Sequence, residues 1–479
     1  MDLKEGSSGA PIRERELGFY ERFRVSLHDL GYYNNVSIIA RYSNATKTLN
    51  SWPQSIFRGF SHAVQKHPEL STTVARDADG TLYFQRLPTV DLEQLVTFKQ
   101  LQDIEGEDVD AKLITLSTAE NNRGFENTST TPSWRAIALR ESSNSDSFRV
   151  AFVWHHVIGD GRSGLAVHQS LLEAFRLSED DVDCKSNRPT SVTSLDLRRV
   201  PSSANPLFTS MEQMLPNSTA PATVTSPLLG RKWAGNAYND KSPIVTELGH
   251  IRIPASSVQN ILTQCRKHST TMTALLQAIV AKALLEQVGV SYDRIRTAVA
   301  VSLRRFFDPK LGIDDSVMGL WISTYTTEFH KTQFHPRTDA VELDVLWQLS
   351  QQNTAQINSV VANGGREVEI MGLMGVNDYS AAVKARVGQP RDNSFGLTNL
   401  GVFGAASIEE GHGRITLDDM FFSQSCHSNG AAFQICIVTV QGGDMNIVFN
   451  WQKGIILGEE IDGVTSGVKD LMGQIASRE

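Results

Sequence analysis

Short β-branched or alternating runs along this chain take turns with segments whose apolar residues recur at helical spacing. The run 35–42 (Asn-Val-Ser-Ile-Ile-Ala-Arg-Tyr) predicts a strand, after which Ile56, Phe57, Phe60, Ala63 and Val64 predict a helix. Strands are predicted over 71–76 and 82–86, with Asp79-Gly80 as the hairpin turn between them. Two more, 134–140 and 148–155, flank a polar turn. In the second, Phe148, Val150, Phe152 and Trp154 share one face while Ala151 and Val153 on the other are also apolar, the pattern of a strand buried on both sides. Gly159-Asp160-Gly161 follows, then an amphipathic helix over 163–176, apolar at Leu165, Val167, Leu171, Leu172 and Phe175.

From Pro201 to Pro227 the pattern stops: 16 of 27 residues are Pro, Ser, Thr or Asn, the composition of a linker. The expected division is an N-terminal lobe over 1–200, a linker over 201–245 and a C-terminal lobe over 246–479. The second half restarts with a strand over 247–253 and helices over 255–267 and 271–287. Strands over 296–303 and 318–329, a long helix over 338–361, strands over 394–399, 420–425, 432–440 and 445–451, and a helix over 459–475 complete it. Both halves mix a sheet with helices. The fold class expected is therefore α/β (α+β), as two lobes of similar build meeting at a cleft, the usual place for a small-molecule site.

Composition narrows the partners. With 45 Lys+Arg against 53 Asp+Glu, the 479 residues carry a net charge of −8 without a block of one sign, which offers no footprint for a nucleic-acid backbone or an anionic membrane. Four cysteines (Cys184, Cys265, Cys426, Cys436) lack the density of a disulfide scaffold and the C-x-x-C spacing of a zinc or redox site. The polar N-terminus has no signal-peptide core, and no apolar run approaches a membrane span. A cytoplasmic protein is expected.

The chemistry concentrates in Trp154-His155-His156-Val157-Ile158-Gly159-Asp160-Gly161, where an apolar strand gives way to a Gly-rich turn and then to a helix. An imidazole is the natural general base for a hydroxyl or amine at neutral pH. Asp160 could hold the turn by pairing with a distant arginine, or it could orient the imidazole directly as in a Ser-His-Asp triad; the local residues leave both open. His155, His156 and Asp160 are poor metal ligands, because adjacent strand residues point to opposite faces. H-E-x-x-H, the G-x-x-x-x-G-K-[ST] phosphate loop and the G-x-S-x-G elbow are all missing.

The segment His155 to Gly161 resembles the HHxxxDG motif of the CoA-dependent acyltransferase superfamily, which includes plant acyltransferases, fungal alcohol O-acetyltransferases and peptide-synthetase condensation domains. Three further segments agree in order. Arg15-Glu16-Leu17-Gly18-Phe19-Tyr20-Glu21 resembles the opening of the fungal alcohol acetyltransferase branch, Val301-Ser302-Leu303-Arg304-Arg305-Phe306 is similar to the strand end whose arginine pairs with the motif aspartate, and Leu397-Thr398-Asn399-Leu400-Gly401 is similar to that branch's S-N-L-G strand end. Asn393-Ser394-Phe395-Gly396-Leu397 departs from the plant D-F-G-W-G motif, which leaves CoA contacts unassigned.

The resemblance implies two chloramphenicol-acetyltransferase-like lobes enclosing a central tunnel, with acyl-CoA (acetyl-CoA) as co-substrate, no bound cofactor and no metal. It makes His156 the general base and Asp160 structural, with His155 and Gly161 supporting the motif and Arg304, ahead of Arg305, as the aspartate's partner. Asn399 is a candidate oxyanion donor and Trp451 a candidate for the acceptor channel, while Gly159 and Gly161 are expected to serve turn geometry. The expected partners are a small-molecule hydroxyl acceptor and acyl-CoA, in a chain for which a monomer suffices. The alternatives are an acyl carrier protein as donor, with ester or amide formation, or a repurposed relative that promotes cyclisation or isomerisation.

Overall fold

A computed structural model describes residues 9–44, 52–141, 147–176, 196–221, 230–238, 244–334, 339–404, 415–428 and 430–478. Two mixed sheets with flanking helices dominate it. The first has five strands in the order Ile415–Gln424, Val36–Asn44, Ser147–Trp154, Trp134–Arg140, Val96–Gln100. The second has six, in the order Thr246–Ile253, Met445–Gln452, Phe433–Val440, Phe395–Phe403, Arg294–Ser302, Ile322–His330. The hairpin Thr72–Arg76 and Leu82–Arg86 forms as expected and gains a third strand, Ile12–Glu16.

Ser147–Trp154 runs antiparallel between Val36–Asn44 and Trp134–Arg140, and all eight of its residues are buried. A strand in the middle of a sheet covered on both faces must be apolar on both, which is why the pattern of this segment lacked clean alternation. Helix Gly161–Arg176 packs on Trp52–Lys66 over one face; Phe175 meets the Tyr42 and Phe148 rings edge-on at 5.1 and 5.4 Å. In the second half, Met272–Gln287 is apolar nearly all round because it lies against both Asp339–Ala362 and Gly458–Ala476. Thr271 caps it, its hydroxyl oxygen accepting from the Ala274 N–H at 3.2 Å. No described helix is long and apolar enough to cross a membrane.

The strand Ile415–Gln424 comes from the C-terminal half yet pairs with Val36–Asn44, so the five-stranded sheet is built from both halves of the chain. It is pinned to the second sheet as well. The Gln424 N–H donates to Asn450 Oδ1 (3.1 Å), and Asn446 Nδ2 donates to the Met420 carbonyl (2.7 Å) and to Asp419 Oδ1 (2.8 Å). Asp419 also pairs with Arg149 of the first sheet and Arg252 of the second, both at 3.1 Å.

Two expectations change. The strand expected over 318–329 begins at Ile322, because Gly319 uses its backbone groups on the Asp160 turn instead of a neighbouring strand. The strand expected to stop at 399 continues to Phe403 across a bulge, where Gly401 takes φ +81° and the register with Phe433–Val440 shifts. The Pro/Ser/Thr-rich stretch packs onto the body as far as it is described. Met211 and Leu215 are buried, Phe208 meets Trp321 edge-on at 5.5 Å and Ser218 bonds the Gly365 carbonyl; residues 222–229 lie outside the described residues.

Candidate active site

The turn after Ser147–Trp154 is closed by one carbonyl. Gly159 O accepts from the Trp154 indole N–H (2.9 Å) and from His156 Nδ1 (3.0 Å), which fixes the ring against the strand end. Gly159 and Gly161 do not take positive φ; they serve the turn by leaving space for close packing. A Cβ on Gly159 would lie 2.6 Å from Ser163 Cβ, and one on Gly161 would lie 2.7 Å from Leu400 Cδ2.

On one side of this turn both oxygens of a buried carboxylate are bonded. Asp160 is 0% exposed and Arg304 5%. Arg304 Nη1 donates to Asp160 Oδ2 at 2.6 Å, and the Trp321 N–H donates to the same oxygen at 3.1 Å. Asp160 Oδ1 accepts from the Ser163 N–H (3.1 Å) and hydroxyl (3.3 Å). The Arg304 guanidinium lies 4.9 Å from the centre of the Trp321 ring, and its Nη2 donates to the Val317 carbonyl at 3.3 Å. Arg305 is exposed. Of the two roles left open for Asp160, this geometry takes the first: the carboxylate ties the turn to the Arg304 segment and makes no bond to His156.

The two histidines diverge, as neighbours on a strand must. His155 Nδ1 accepts from the Val157 N–H (2.8 Å), and its ring lies 4.4 Å from that of His28. His156 lies 5.6 Å, ring to ring, from Tyr33, which in turn is 5.8 Å from His427. Burial, with the nearby Arg24 charge adding to it, pushes the imidazolium form of His156 well below its ordinary range, so the ring is neutral. A carbonyl can only accept, so the proton of that neutral ring sits on Nδ1, facing Gly159 O. Nε2 is left bare as a base.

Tyr33 and His427 belong to the wall of a cavity of about 90 Å³, completed by Arg24, Gln424, Gln434 and Asn450 among others, with no Asp or Glu in its lining. Arg24, Tyr33 and His427 carry no motif in the sequence and were missed there. The one indirect signal was the Arg15 to Glu21 segment. Arg15 forks onto both Glu21 oxygens at 2.7 Å, and Glu21 Oε2 accepts from the Gly18 N–H at 2.7 Å, anchoring the start of helix Phe19–Asp29, which carries Arg24.

Two candidates have structural partners. Asn399 braces the bulge: its Oδ1 accepts from the Gly401 N–H (2.9 Å) and one Nδ2 proton goes to Thr273 Oγ1 (3.0 Å), which leaves the second amide proton for the oxyanion role expected of it. Trp451 lies on the face of its strand opposite to that cavity. Its indole N–H donates to Glu247 Oε2 (3.0 Å) on the paired strand, while its neighbours Asn450 and Gln452, pointing the other way, line the cavity. Cys265, Cys426 and Cys436 are buried free thiols; Cys184 lies outside the described residues. Among the described residues, no group of three or more His, Cys, Asp or Glu is placed to hold a metal ion.

Comparison with known proteins agrees with the resemblance read from the motifs. Residues 16–457 match the family described as alcohol acetyltransferase. A probable alcohol acetyltransferase of Aspergillus fumigatus, crmB, is 24% identical over 94% of this chain and 97% of its own length. Another from Fusarium pseudograminearum, FCK4, is 24% identical over 95% and 94%. Among solved structures, the trichothecene 15-O-acetyltransferase TRI3 of Fusarium sporotrichioides superposes with a TM-score of 0.68 at 13% identity, over 100% of this chain and 97% of that one. The first condensation domain of the calcium-dependent antibiotic synthetase does so with a TM-score of 0.63 at 12% identity, over 98% of each. These likenesses establish the two-lobed fold.

Proposed function

The chain belongs to the alcohol acetyltransferase family, and from that premise we propose that it moves an acetyl group from acetyl-CoA to the hydroxyl of a small alcohol or specialised metabolite, with His156 as the general base. It is an acyltransferase acting on an alcohol, and the finer reading rests on one observation: a neutral, buried imidazole whose Nδ1 proton is committed to Gly159 O and whose Nε2 is bare. The acceptor hydroxyl gives its proton to Nε2 as its oxygen attacks the thioester carbonyl. The tetrahedral intermediate then collapses, the C–S bond breaks, and the departing thiolate takes the proton back from the imidazolium. No protein nucleophile is required when both substrates are bound together, since proximity supplies much of the rate gain. Asp160 and Arg304 act by holding the turn that aims the ring.

The test is release of CoA thiol from acetyl-CoA by the purified protein across a panel of alcohols and amines. The expected result is acceptor-dependent release, with initial-rate plots against the two substrates that intersect. Parallel plots would replace direct transfer by an acyl-enzyme. Release that appears only with an acylated carrier protein would replace the free CoA donor.

A further inference from the structure

The cavity that shares Tyr33 with His156 is lined by Arg24, which has no ion pair with a carboxylate of the described residues. The Arg24 guanidinium is held between the rings of Tyr20 and Tyr33, 4.9 and 5.3 Å from their centres, and its Nη2 donates to the Tyr20 hydroxyl. Its Nε is buried without a hydrogen-bond partner. Across the same cavity, Gln434 Oε1 is likewise buried and unpartnered. Arg24 is half-buried and its side chain is already immobilised by the two rings, so a guanidinium lining a cavity that holds no carboxylate is preorganised for an anionic ligand. The neighbouring carboxamides cannot compensate it, because they are committed elsewhere: Gln424 Oε1 accepts from the Tyr33 hydroxyl at 2.7 Å, and Asn450 Oδ1 accepts from the Gln424 N–H.

We propose that this cavity is the acceptor subsite and that Arg24 binds a carboxylate on the acceptor, so that the preferred substrate is a hydroxy acid. The proposal rests on the acyl-transfer reading of His156. The anion belongs to the acceptor and not to CoA for a reason of distance. One ring, that of Tyr33, touches both the Arg24 guanidinium and the His156 imidazole, whereas a thioester placed at His156 carries its phosphates away by the full length of the pantetheine arm. A carboxylate also matches the fork of a guanidinium.

Two measurements test it. In thermal melts without acetyl-CoA, 3-hydroxybutanoate and 4-(hydroxymethyl)benzoate are compared with their methyl esters on wild type, Arg24→Gln and Arg24→Lys. The acids should stabilise wild type and the esters should not, with the effect lost in Arg24→Gln and partly restored in Arg24→Lys. In turnover assays the acid-to-ester ratio of kcat/KM should fall roughly 10- to 100-fold in Arg24→Gln, the range of a charged hydrogen bond. Acids and esters behaving alike in wild type would overturn the proposal, as would an Arg24→Gln effect confined to the KM of acetyl-CoA. A kcat loss equal for acids and esters would overturn it too, by placing Arg24 on the reacting oxygens. Acid binding through Arg24 with no acyl transfer would leave the anion site standing and remove the acyl-transfer reading. Transfer to neutral alcohols with no preference for acids would do the reverse.

Discussion

The turn between His155 and Gly161 has two sides that use charge in opposite ways. On the Asp160 side a carboxylate and a guanidinium are sealed from water, and four donors from Arg304, Trp321 and Ser163 saturate the two oxygens. On the His156 side one ring nitrogen is committed and the other is bare, one Tyr33 ring away from a cavity lined by Arg24. A buried carboxylate with both oxygens bonded serves as a rivet. A neutral imidazole with a free lone pair is poised to take a proton. On the proposed reading the seven-residue motif pairs a structural charge with a reactive base, and substitutions should separate the two.

The largest expected effect is on the base. His156→Ala should lower kcat roughly 10²- to 10⁴-fold, the span of general base catalysis, while thermal melting stays close to wild type. A variant that keeps more than about a tenth of the wild-type rate would remove the base from His156. Asp160→Ala inverts the pattern. It strands a buried Arg304 and should cost about 3–5 kcal/mol in urea unfolding, with activity falling because the turn is loosened. A double-mutant cycle with Arg304→Ala should show strong coupling; an Asp160→Ala protein that unfolds like wild type but turns over slowly would make Asp160 an orienting residue after all.

Acid should separate the sides next. Burial holds His156 and His155 neutral well below their ordinary range, and it pushes His67 and His427 to about 3 and His168 to about 4. In the unfolded chain each takes up a proton near pH 6.5, so the unfolded state binds more protons below that value. Stability should therefore fall as the pH drops through 6.5 towards 4, by up to about 1.4 kcal/mol per unit for each histidine. Glu69 opposes this with a single group: its carboxyl is raised by burial to about 7, so its stabilising contribution is lost as pH rises towards 7. Since the base is already deprotonated, kcat/KM should stay flat from pH 8 to 6 over the range in which melting temperature begins to drop. The smallest effect is expected off the turn altogether. Trp451→Phe removes one half-buried hydrogen bond to Glu247, about 0.5–1.5 kcal/mol, and should leave kcat and both KM values unchanged.

By itself the sequence determined the elements and the motif. Periodicity placed the strand ending at Trp154, the helix after Gly161 and the capped helix from Met272, because local sterics and burial on one or two faces leave their mark on adjacent residues. The HHxxxDG segment likewise needed no partner to be seen. Four things were decided only in three dimensions. The Ile415–Gln424 strand joined the first sheet across more than half the chain, a pairing that no local pattern encodes. Asn399 and Trp451, each at an apparent strand end, became a bulge brace and an outward-facing packing residue, because which face a side chain takes depends on register with its neighbours. Arg24 and Tyr33 from one end of the chain and His427 from the other line a cavity that meets His156 through the Tyr33 ring, and none of the three carries a motif. Even the tautomer of His156 was beyond the sequence: it is set by a backbone carbonyl, and which carbonyl the ring meets depends on how the turn folds.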